Sequence, residues 1–183
     1  MNPQKLTQQD RSTVMFKRTS IVLATAVAAL SAGAAQAASD YLIRVDGIAG
    51  TSTLAGFEDF IDVESWSLGF VRNACQDLHF VKRMDAASAP LTGAAMLGAF
   101  YPQIVLVARK AGGDGNGFVY LKLTLTNSVF TSFQSGGSNG SSLLPVEQIS
   151  AQPSSVKFEA FGQDQTGAVT LVASNTVTCQ KVK

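Results

Sequence analysis

Gly136-Gly137-Ser138-Asn139-Gly140 has the spacing of a nucleophile elbow, in which a serine on a tight strand-to-helix turn exposes its hydroxyl beside backbone N–H donors for an oxyanion. That geometry needs a helix after the serine, and Ser141, Ser142 and Pro145 oppose one. The chain order opposes it too: the single histidine, His79, precedes the serine, whereas the elbow arrangement places its histidine afterwards. A flexible glycine loop is the simpler reading. Cys75 and His79 stand four residues apart, neighbours on a helix but about 13 Å apart on a strand that rises ~3.3 Å per residue. The strand reading removes a thiolate–imidazole pair. With one His and two Cys, a tetrahedral zinc site lacks ligands.

The acidic residues Glu58, Asp59, Asp62 and Glu64 could supply paired carboxylates for glycoside hydrolysis or oxygen ligands for calcium. Asp62 and Glu64 share one face of a strand, and a solvated barrel exterior or a subunit contact accounts for them more simply. Asp114 and Asn116 look like part of a calcium loop, but without a bidentate Glu a hairpin turn explains them better. Trp66 and the eleven Phe read as core and interface rather than as a sugar platform. No catalytic residue, cofactor site or metal site is expected.

The elements that carry these residues belong to a chain of 183 residues with 14 Lys+Arg against 13 Asp+Glu, a formal net charge of +1. Without a basic block there is no electrostatic footprint for nucleic acid. A hydrophobic content of 46% supports one domain with a sizeable core. The N-terminus is set apart from that domain. Lys17 and Arg18 precede the apolar run Ile21 to Leu30, and Ala35-Gln36-Ala37 follows, so residues 1–37 read as an extension and a secretory signal cleaved after Ala37. The run is shorter than the ~20 residues of a bilayer span, so no stable membrane span is expected after cleavage. Met15, directly before the basic pair, is an alternative start. Residues 38–183 then form the exported domain, periplasmic or secreted. Export places Cys75 and Cys179 in an oxidising compartment. They either form one bridge, closing a loop of about 100 residues worth up to ~4 to 5 kcal/mol, or remain free or intermolecular thiols.

The exported part reads mainly as short strands. Tyr41 to Val45 is an apolar run stopped by Asp46-Gly47. From Ile61 to Phe70 the pattern has period two, with Ile61, Val63, Ser65 and Ser67 on one side and Asp62, Glu64, Trp66 and Leu68 on the other. Leu78, Phe80 and Met84 alternate with His79, Val81 and Arg83. Gln103 to Lys110 and Phe118 to Phe133 flank the Gly112-to-Gly117 run as a hairpin, and Val156 to Phe161 with Ala168 to Val172 form a second. Asp85 to Phe100 is richer in Ala and Leu and reads as one short helix, capped by Asp85 or Ser88, with Leu91, Ala94 or Ala95, and Gly98 on one stripe. One helix among roughly seven to nine strands predicts an antiparallel β-barrel with a short flanking α-helix, because closure removes the exposed edges of a secreted sheet.

Three blocks carry a family resemblance: Asp46-Gly47-Ile48-Ala49-Gly50-Thr51-Ser52 with Ile61-Asp62-Val63; Asp77 to Asp85 with Ser88, Pro90 and Leu91; and Val105 to Gly113. The likeness continues through Tyr120-Leu121-Lys122-Leu123, Ser135 to Ser138 and Leu144-Pro145-Val146-Glu147 to Val156-Lys157-Phe158-Glu159. In order and spacing the chain resembles the haemolysin-coregulated protein (Hcp) family, the tube proteins of type VI secretion. The resemblance implies a barrel with a flanking helix, six copies closing into a ring, and rings that act as tube component or carrier of effector cargo. It also implies a ring-stacking role for the loop Gly50, Thr51 and Ser52, where the family's usual Gly-Glu-Ser lacks its acidic residue.

Overall fold

The computed structural model describes residues 38–72, 74–110 and 117–179. The export segment with its cleavage site after Ala37, and Asp114 and Asn116, lie outside the described residues.

The first strand, β1 (Ser39–Val45), uses both its faces. Ile43 and Val45 enter the main core, while Leu42 joins a smaller apolar cluster on the opposite side of the sheet. Next come β2 (Ile61–Val63), β3 (Ser65–Ser67), β4 (Phe70–Val71), β5 (Ala74–Cys75) and β6 (Leu78–Arg83). The helix α1 (Ser88–Leu97) is followed by β7 (Phe100–Lys110), β8 (Phe118–Gly136), β9 (Val146–Gln152), β10 (Ser155–Gln163) and β11 (Val169–Thr178). All strand pairings are antiparallel, and the main sheet runs β2-β1-β7-β8-β9-β6-β3. The two ends of that path, β2 and β3, are separated in sequence by Glu64 alone. The Glu64 N–H donates to the Val81 carbonyl of β6 at 2.8 Å, so one continuous stretch of chain joins both edges and rounds the sheet into a barrel.

This closure corrects the expectation of one alternating strand from Ile61 to Phe70. Ile61 and Val63 are buried and Ser65 is exposed, with Trp66 half-buried. The inward phase therefore slips by one residue at Glu64. The reason is the change of partner, because β2 pairs with β1 whereas β3 pairs with β6. The same split, with the two-residue pair β4–β5, gives eleven strands among the described residues where seven to nine were expected. A second difference concerns Met84, which shares the parity of Leu78 and Phe80 but lies just past the end of β6 at Arg83. It is 42% exposed, and Lys82 takes the inward position.

The helix forms where Ala and Leu are concentrated. It buries Ser88, Leu91 and Ala94, one stripe at spacing three, and fully buried Leu91 contributes on the order of 2 kcal/mol. No side chain caps α1 at Ala87. Asp85 instead accepts the Ala87 N–H at 2.9 Å, and Ser88 Oγ accepts the Asp85 N–H at 2.9 Å. Gly98, at φ 57°, ends the helix in the left-handed region rather than extending its stripe.

The long strand β8 changes partner midway. Leu121 to Thr126 pair with β10, and Val129 to Gly136 pair with β9 on the same edge. Asn127, at φ 51°, sits at the changeover, where its carbonyl accepts the Ser154 N–H at 3.2 Å and the Ser154 hydroxyl at 3.0 Å. Beyond this bend β10 and β11 form the second expected hairpin. Its turn is organised by the Asp164 carboxylate, held below the usual range by the Thr166 hydroxyl and by the N–H groups of Ala168 and Thr166. β11 pairs only with β10 and is exposed along almost its whole length. Closure of the barrel therefore leaves the outer edge of β11 open, against the expectation that it removes exposed edges.

At the root of this hairpin Cys179 is joined to Cys75 of β5, with Cα atoms 5.0 Å apart and a sequence separation of 104. On the chain-entropy account a loop of that length contributes about 4 to 5 kcal/mol. The oxidised protein, fully unfolded without reductant, is expected to show no titratable thiol. Cys179→Ser is expected to lower the melting temperature by roughly 8 to 20 °C, at about 2 to 4 °C per kcal/mol for a domain of about 150 residues. Two titratable thiols, or an unchanged melting temperature, would refute the bridge.

Candidate functional site

Lys82 stands on β6 between Phe80 and Met84 and points inward with no solvent exposure. Burial of an ammonium is tolerable only if oxygen atoms replace its hydration. Four do so. Nζ lies 2.6 Å from Glu147 Oε2, 2.7 Å from Asp85 Oδ1, 3.0 Å from Ser88 Oγ and 2.9 Å from the Arg83 carbonyl. Ser88 donates its hydroxyl to Glu147 Oε2 at 2.8 Å. Glu147, on β9, is 1% exposed, and its Oε1 has no hydrogen-bond partner. The carboxylate thus depends on Lys82 and Ser88 for its stabilisation.

Asp85 carries this cluster to the surface. Its Oδ1 faces Lys82, while its Oδ2 accepts a hydrogen bond from the Thr51 hydroxyl at 3.4 Å. The loop of Gly50, Thr51 and Ser52 is therefore laid against the entrance to the helix. The loop is also stitched to the chain ahead of β2, with Gly50 N–H donating to the Asp59 carbonyl at 3.0 Å and Ser52 N–H to the Phe60 carbonyl at 2.9 Å. Ser52 is buried and its Oγ accepts the Leu54 N–H at 3.3 Å, which leaves Thr51 as the exposed side chain of the three. Gly50 is required by close approach: a Cβ there would fall 2.0 Å from the Phe60 carbonyl oxygen.

The remaining candidates are not brought together. Ser138 lies in an exposed loop that leads to β9 with no helix after it. His79 is engaged elsewhere, its Nδ1 2.7 Å from Ser150 Oγ, to which Ser132 donates at 2.8 Å. Cys75 is in the disulfide. Glu64 is paired with Arg83 at 2.5 Å, and Glu58 accepts the Gly56 N–H, which holds its carboxyl below the usual range. Among the described residues no three His, Cys, Asp or Glu side chains form a metal-binding group. Lys82 and Glu147 were not singled out from sequence. The available signal was parity, since Lys82 occupies the same face as Leu78 and Phe80.

Lys82→Met should leave Glu147 buried and unpaired and cost about 3 to 5 kcal/mol in denaturant unfolding. The double variant Lys82→Met with Glu147→Met should cost much less than the two single changes combined. Additive losses would show that the pair is not coupled. Gly50→Ala is expected to destabilise by at least about 2 kcal/mol in the same assay, and a neutral result would remove the close contact.

Comparison with known proteins identifies the family. The family described as "Type VI secretion system effector, Hcp" matches residues 42–159, a span that contains Gly50, Lys82, Asp85, Ser88 and Glu147. The chain is 31% identical to protein hcp1 of Pseudomonas aeruginosa over 145 residues, covering 72% of this chain and 88% of that protein. Among solved structures, Hcp1 from Salmonella typhimurium superposes with a TM-score of 0.67 at 28% identity, covering 77% of this chain and 94% of the other. A type VI secretion effector from Yersinia pestis gives a TM-score of 0.65 at 25% identity, covering 76% and 99%. The chain belongs to the Hcp family of type VI secretion proteins.

Proposed function

We propose that the chain is exported, loses its leader after Ala37, and acts without catalysis as a ring-forming protein of type VI secretion, as tube component or carrier of effector cargo. The observation that carries this reading is the pair of unlike apolar surfaces on one protomer. A closed ring of identical copies needs two different patches that meet head to tail. One candidate patch is the open hairpin, where Leu171 and Val172 are 53% and 70% exposed. The other is the end of α1 and the start of β7, where Met96 and Leu97 are exposed by more than four-fifths and Phe100 also faces solvent. Val172 lies six residues along β11 from Thr178 near the disulfide, about 20 Å at ~3.3 Å per residue, so the hairpin patch extends away from that root. Exposed apolar groups of this size favour a partner.

With Thr51 in place of the family's acidic residue, and bonded to Asp85, the stacking loop carries no carboxylate of its own, which favours single rings over long tubes. The competing reading is a periplasmic or extracellular monomeric barrel that keeps the fold as a binding module without a tube role.

Sedimentation of the disulfide-intact, leader-free protein at micromolar concentration is expected to show a species near six protomer masses. Leu171→Glu and Leu97→Glu should each yield monomers. Because each variant keeps the patch that the other lacks, their mixture should form a one-to-one dimer. A monomeric profile of the unmodified protein at all concentrations would refute the ring and leave the binding module. Failure of the mixture to dimerise would refute the pairing of these two patches.

A further inference from the structure

On the outer face of the sheet the loop from Leu54 to Phe60 packs over Leu42, Val105 and Val107, forming an apolar cluster separate from the barrel core. Beside it opens a cavity of about 590 Å³, bounded by Phe57 and Phe60 of the loop, by Val105 and Val107 on β7, and by Phe161 and Val169 of the hairpin. Its volume falls within the ~300 to 1,000 Å³ typical of small-molecule sites. Two cations enter this apolar lining, Arg44 from β1 and Lys122 from β8, and among the described residues no carboxylate lines it. Strand register places Arg44 opposite Val105 and Lys122 opposite Val107, so both charges flank the floor of the cavity.

Among the described residues neither charge is neutralised locally by an ion pair. The Arg44 guanidinium lies 5.9 Å from the centre of the Phe60 ring and donates to Gln103 Oε1 at 3.4 Å, both neutral groups. Asp46 and Asp59 border a neighbouring recess with Arg44 but are not ion-paired with it. Glu159 faces Lys122 across the β8–β10 register, yet its carboxylate is paired with Lys157 at 2.6 Å. Gln103 and Thr124 add neutral hydrogen-bonding groups to the lining.

We infer that this cavity binds a single-chain amphipathic anion, a fatty carboxylate whose alkyl chain lies along Val105, Val107 and the phenylalanines and whose head group sits between Arg44 and Lys122. The apolar lining fits an alkyl chain, and the two cations, with no lining carboxylate among the described residues, select an anionic head over a neutral or cationic one. This inference does not depend on ring assembly.

Calorimetric titration of the full chain with laurate, below its micelle concentration, is expected to show saturable binding at one site per chain. Arg44→Gln with Lys122→Gln should weaken it by about tenfold or more, equivalent to ~1.4 kcal/mol. Arg72→Gln, in the turn between β4 and β5 and outside the cavity lining, should leave it unchanged, and dodecyltrimethylammonium should not compete. Thr124→Trp, which fills the cavity from β8, should abolish binding and serves as the second variant if the double variant does not fold. Absence of saturable binding, affinity indifferent to the double variant or to Thr124→Trp, or equal binding of the cationic amphiphile would each overturn the inference. Laurate held by the apolar run Ile21 to Leu30 would appear as such indifference.

Discussion

A lysine ammonium without solvent contact is the constraint around which this barrel is organised. Lys82 cannot stay charged in the core unless Glu147, Asp85, Ser88 and the Arg83 carbonyl converge on it, and these groups come from β6, the entrance to α1 and β9. A buried pair of this kind adds little net stability over an apolar substitute, because desolvation offsets most of the attraction. Its effect is on geometry. A slip of β6 by one residue would point Lys82 outward and leave Glu147 buried without its cation. The pair therefore penalises alternative registers more than it stabilises the native one, and it fixes where the helix begins, since Ser88 is both ligand and first helical residue.

The same cluster reaches the barrel seam. Through Asp85 it holds Thr51, and through the hydrogen bonds of Gly50 and Ser52 it holds the chain that enters β2. From β2 the chain passes directly into β3 at Glu64, which is itself paired with Arg83, the residue after Lys82. Closure of the sheet and placement of the helix are thus coupled through neighbouring residues of β6. This explains in physical terms why the blocks that carry the family resemblance, around residues 46–52, 77–91 and 144–147, lie far apart in the chain yet meet in the fold.

Much of the architecture was legible in the residues. The hairpins β7–β8 and β10–β11 follow from apolar runs around turn-forming residues, and the Leu91 and Ala94 stripe marks the helix. What was not legible depends on partners distant in sequence. Period two reports that successive residues face opposite ways, but it cannot show that a strand changes partner, so the slip at Glu64 was invisible. Lys82 shares the inward parity of Leu78 and Phe80, yet its charge argues for solvent until Glu147 is known to face it. Met84 keeps the parity of Leu78 and Phe80, and nothing local marks the end of β6 before it. The closeness of Cys75 and Cys179 depends on the bend at Asn127 and on the length of the hairpin, neither of which cysteine spacing encodes.

The disulfide at the root of the hairpin also sets the path along which the molecule would carry mechanical load. Without it, a pull on β11 would be resisted only by the ladder between β10 and β11 and by the six register positions that join β10 to β8. Hydrogen bonds loaded from one end fail in succession, like a zip. With Cys179 bonded to Cys75, tension along β11 passes through a covalent link into β5 and the chain leading to β6, whose own ladder with β9 is loaded along the strands. The protruding arm is therefore anchored as a tether, so that force applied to it is shared by the barrel wall instead of peeling the arm away.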